Sequence, residues 1–62
     1  MIKAGSILKD NDPRVQDGIR LVVVKVEDGR ALCQRGQRTV KIRLDRIFAD
    51  GKPRRSGFDV VA

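Results

Sequence analysis

"IRLVVVKVEDGRALCQR", residues 19–35, decides how the chain folds. Leu21 to Val24 are consecutive apolar, mainly β-branched residues, and the run ends at Glu27-Asp28-Gly29. A run this short, bounded by turn residues, predicts a strand over Ile19–Val26. Because four apolar residues follow one another, both faces are expected to be covered at the strand's centre, as where one strand bends between two orthogonally packed sheets of a small barrel. Asp28-Gly29 predicts a two-residue type I′ turn, which needs positive φ at both central residues. The return strand is then Ala31–Arg35.

Working outward, Gly36-Gln37 offers a second tight turn into "RTVKIRLDRIF", residues 38–48. Val40, Ile42 and Leu44 share the parity that faces a core, and Thr39, Lys41 and Arg43 share the other. The alternation fails at Ile47. Leu44, Ile47 and Phe48 stand at i, i+3 and i+4, which predicts one helical or 3₁₀ turn capping the core. Towards the N-terminus, "SILK" (Ser6–Lys9) reads as a short strand after Gly5. The polar interval "DNDPRVQDG" follows, in which Asp12 is placed to cap a brief helical turn opened by Pro13, and Gly18 releases the chain into the next strand. Beyond Asp50-Gly51 a basic connector, "KPRRSG", leads to a last strand, "FDVV" (Phe58–Val61). Five strands with one short helical or 3₁₀ turn before the last describe an all-β, SH3-like small barrel formed by residues 1–62 as a single domain. The rival architecture is an open meander that needs a partner to complete its core.

With 62 residues, 40% apolar and 35% charged, the chain has material for one small core and too much of it for a disordered tail. Fourteen Lys and Arg against eight Asp and Glu give a net charge of +6. Residues 1–29 hold five of each sign, so the excess lies in residues 30–62, where nine cations face three acids. Such a localised surplus is the footprint of an anionic partner, although charge of this size also serves solubility. No apolar run suits a signal peptide or approaches the ~20 residues of a membrane span, so a cytoplasmic location is the default.

Catalytic chemistry finds little support. The chain has no His to serve as a base near neutral pH, and its single cysteine, Cys33, lies mid-strand where a small buried thiol is expected. Ser6, Thr39 and Ser56 have no activating base nearby in sequence. Asp10, Asn11, Asp12 and Asp17 are oxygen ligands within one loop, yet a calcium loop starting at Asp10 would need Gly at its sixth position and Glu at its twelfth, where Val15 and Leu21 stand. Turn formation and an Arg14 ion pair account for those acids. No metal or cofactor is expected.

Trp and Tyr are absent, and Phe48 and Phe58 are assigned to the core. That removes the aromatic cage, the proline-peptide groove and the base-stacking platform that small barrels commonly use. The cationic surface is left. Lys41 and Arg43 project from one face about 7 Å apart, close to the spacing of successive phosphates. Arg35 and Arg38 flank the preceding turn, and Arg46, Lys52, Arg54 and Arg55 extend the patch if the connector folds back over the same side. An ordinary solvated face that discourages edge-to-edge association is the competing explanation.

The order of "DNDPR", "GIRLVVVKV", "RTVKIRLDRI" and "SGF" resembles that of small, largely uncharacterised bacterial and phage-associated proteins. The resemblance implies an SH3-like barrel and no established activity. The function expected from the residues is a non-enzymatic module that contacts nucleic-acid phosphates through the eight cations named above, without base reading, because no recognition helix is predicted. The alternative is a protein-interaction or oligomerisation module, for instance a regulator encoded by a phage or mobile element. A small enzyme or inhibitor is a third reading.

Overall fold

The computed structural model describes residues 2–15 and 18–62, so Asp17 of the acidic loop lies outside the described residues. Six strands are present: β1 Ile7–Asp10, β2 Leu21–Glu27, β3 Arg30–Arg35, β4 Arg38–Arg43, β5 Ile47–Phe48 and β6 Phe58–Val60, with a 3₁₀ turn at Leu44–Arg46. All belong to one curled sheet in the order β4-β3-β2-β1-β6-β5. The all-β class is as expected; the sixth strand is not. Ile47 and Phe48, assigned to a helical turn, are extended and pair in parallel with Phe58 and Asp59. Their i, i+3, i+4 spacing from Leu44 is accidental, because the 3₁₀ turn ends at Arg46 and Ile47 donates its N–H to the Leu44 carbonyl.

The two hairpins form as their turn residues dictate. Asp28 (φ 53°) and Gly29 (φ 72°) both take positive φ, the type I′ requirement, and set Glu27 opposite Arg30. At the second turn only Gly36 (φ 60°) does, and Arg35 stands opposite Arg38. From there the register runs without interruption to Arg30 opposite Arg43.

The apolar run in β2 behaves differently from its reading. Leu21 and Val23 are buried, but Val22 is 42% and Val24 53% exposed, so only one face is covered. The bend comes instead from a bulge: pairing with β3 shifts between Val23 and Lys25, leaving Val24 as the extra residue. A bulge bends its strand and sharpens the local twist, which curls the sheet around its own inner face. Leu8, Leu21, Val23, Ala31, Cys33 and Ile42 meet there as the core. Phe58 packs against this cluster as expected, whereas Phe48 does not belong to it. The Phe48 ring lies instead beneath the connector, between Gly57 and the Arg54 guanidinium.

In the acidic loop, Asp12 caps a single hydrogen-bonded turn, and among the described residues the helical turn expected there does not form. Its carboxylate accepts from the Arg14 N–H at 2.9 Å and pairs with the Arg14 guanidinium at 2.9 Å, while its carbonyl accepts from Val15. Hydrogen bonds from Arg14 hold this carboxyl below its usual range. No helix among the described residues is long and apolar enough to cross a membrane.

Candidate functional site

Strand parity and register place the four candidate cations of β3 and β4. On β4, Lys41 and Arg43 are exposed on the side away from the core, as expected. Arg38 has the parity of the buried Ile42, and Arg35 that of the buried Cys33 and Ala31. These two arginines therefore stand opposite each other at the other end of the hairpin, on the opposite side of the sheet from Lys41 and Arg43. They do not extend that patch.

Two cations that the sequence reading left out do extend it. The register aligns Lys25, Leu32 and Lys41 in one row across β2, β3 and β4, and Glu27, Arg30 and Arg43 in the next. The rows lie about 7 Å apart along the strands, and the outer strands about 10 Å apart across them. Four cations and one acid thus share a small patch of outer sheet, surrounding a shallow depression of about 140 Å³ lined by Lys25, Glu27, Asp28, Arg30, Leu32 and Lys41. Glu27 bonds Lys25 at 2.7 Å, and Asp45 bonds Arg43. Arg30 and Lys41 have no ionic partner among the described residues. Arg30 was legible in principle: two-residue turns at 28–29 and 36–37 force it opposite Arg43.

The remaining cations belong to the far end of the chain. Arg46 is exposed on the 3₁₀ turn, and Lys52 and Arg55 are exposed on the connector. The connector is anchored to Asn11, whose N–H donates to the Gly57 carbonyl at 3.0 Å, and to Phe48. Neither anchor lies on β4.

Arg54 is committed to structure. Its guanidinium forks onto both oxygens of Asp50 at 2.6 Å and lies 3.8 Å from the centre of the Phe48 ring. The hydrogen bonds from Arg54, aided by the Lys52 N–H, hold the Asp50 carboxyl far below the usual carboxylate range. Since the folded value lies below the unfolded one, this pair's contribution is complete above the unfolded pKa of 3.8 and is lost as pH falls through the folded value. A carbon-detected NMR titration should therefore find Asp50 still ionised at about pH 3, and Arg54→Ala should return it towards the ordinary Asp range. An Asp50 that titrates alike in both proteins would remove the ion pair as the connector's anchor.

Cys33 is fully buried, and desolvation pushes its thiol pKa up, which disfavours the thiolate a nucleophile needs. Among the described residues no group of three or more His, Cys, Asp or Glu side chains is arranged to hold a metal ion. Comparison with protein-family models, curated proteins and solved structures finds no match for this chain.

Proposed function

We propose that this chain is a non-enzymatic binding module, an SH3-like small barrel in type, that holds nucleic-acid phosphates on the outer face of β3 and β4. Arg30, Lys41 and Arg43 make the contacts, and Lys25 assists from β2. The carrying observation is the direct opposition of Arg30 and Arg43. They form a non-hydrogen-bonded pair, in which side chains approach most closely, and like charges placed so are destabilising. Asp45 neutralises part of Arg43. A phosphate between the two guanidinium groups relieves the rest and gains charge-assisted hydrogen bonds. Contacts of this kind position a backbone without reading its sequence, so weak discrimination among sequences is part of the proposal.

Anisotropy titrations with random single-stranded and duplex oligonucleotides at several salt concentrations test it. Three neutralised phosphates predict a log–log salt slope of roughly 2 to 3 in magnitude. Replacing Lys41 and Arg43 together by Glu is expected to abolish binding while the sheet persists, since both are exposed. The pair Arg35→Glu and Arg38→Glu, on the opposite side, should cost much less. Absence of binding at low salt, or a double Lys41/Arg43 variant that binds like the parent, would overturn the reading.

A further inference from the structure

β4 is the outermost strand on its side of the sheet, with β3 as its one strand neighbour. Its hydrogen-bonding phase is fixed at both ends. The two-residue turn makes Arg35 and Arg38 a bonded pair, and the Leu44 N–H donates to the Gly29 carbonyl at 3.0 Å, continuing the same ladder. Bonded positions therefore fall on residues 38, 40, 42 and 44. Thr39, Lys41 and Arg43 point their amide and carbonyl groups away from β3. The Arg43 carbonyl opens the 3₁₀ turn by accepting from its last residue; among the described residues no other backbone takes up the remaining five groups. They form a free edge one strand long.

Side chains on the two sides of that edge specify what fits beside it. Outward lie Thr39, Lys41 and Arg43. Inward lie Val40, which is 37% exposed, and Ile42, which is buried. A second copy of β4 would set these same cations against each other, so the charge that guards the edge against self-pairing disfavours a homodimer there. The same charge attracts acids. We infer that the β4 edge accepts an extended segment of a partner protein whose residues alternate between apolar and acidic. Its apolar side chains cover Val40 beside the rim of the core, and its Asp or Glu side chains lie next to Lys41 and Arg43. Backbone groups carry this inference, and it stands whether or not phosphates bind the outer face.

The Arg43 backbone supplies a clean test, because its φ of −64° already matches proline and its N–H belongs to no ladder bond. Arg43→Ala and Arg43→Pro both lose the side-chain charge, and only the second loses the outward donor. The probe is a synthetic capped peptide alternating Glu and Val, with a Lys–Val peptide and a single-stranded oligonucleotide as comparators. With the parent protein, the Glu–Val peptide should slow amide exchange at Thr39, Lys41 and Arg43 at least several-fold. Val40 and Ile42, already in the ladder, should change little. Arg43→Pro should bind about fivefold more weakly than Arg43→Ala, the loss of one net hydrogen bond. An oligonucleotide held by side chains leaves these amides unprotected, so the two readings fail separately. Unchanged exchange with the Glu–Val peptide, equal binding of the Lys–Val peptide, equal affinities of the Ala and Pro variants, or a dimer joined through β4 would each overturn the inference.

Discussion

Replacing Gly57 by alanine is expected to destabilise the protein by about 2–5 kcal/mol, a sum of left-handed backbone strain and overpacking. Gly57 sits at φ +76°, and a Cβ there would fall 2.6 Å from Cε2 of Phe48 and 2.8 Å from the Arg46 carbonyl oxygen. The second neighbour is backbone. The first is a ring that also carries the Arg54 guanidinium 3.8 Å from its centre, so neither yields cheaply. Gly51 is an internal control, because its φ is similar (+73°) but nothing lies within 4 Å of its added Cβ. Gly51→Ala should lose only the backbone part, about 1–2 kcal/mol. With neither Trp nor Tyr in the chain, far-UV circular dichroism during guanidinium unfolding is a suitable readout. Equal midpoints for the two variants would show that Phe48 does not pack against Gly57.

Leu8→Ala is the second large effect, expected at about 2–5 kcal/mol from lost burial and the cavity left behind. Leu8 is fully buried and stands at the middle of the sheet, opposite Leu21 on one side and Val60 on the other. A domain this small commonly has only about 3–5 kcal/mol to lose, so the variant should be largely unfolded at room temperature. Val24→Ala removes more atoms from solvent-facing β2 than from the core, and should stay within about 0.5 kcal/mol of the parent. Native-like amide spectra for Leu8→Ala, or comparable losses at the two positions, would contradict the one-sided packing of β2.

The same one-sidedness bears on the edge and on the phosphate face. The outer surface combines exposed Val22 and Val24 with Lys25, Arg30, Lys41 and Arg43. Either proposed ligand uses the cations. Only a protein strand also uses the free backbone of β4.

Local chemistry was readable from the residues alone. Positive φ at Asp28 and Gly29, two-residue connections, side-chain alternation along β4 and the buried place of Cys33 all follow from forces acting within a few residues. For that reason the sequence placed Lys41 and Arg43 together, and its turn lengths contained the partnership of Arg30 with Arg43. Alternation likewise put Arg38 on the other side from Lys41. Which strands become neighbours is a different kind of question. The insertion of β1 between β2 and β6, the parallel pairing of β5 with β6, the exposure of Val22 and Val24, and the capture of Phe48 between Gly57 and Arg54 depend on how the whole sheet curls to enclose one small core. Segments far apart in sequence compete for that burial, and no pattern within one segment records the outcome.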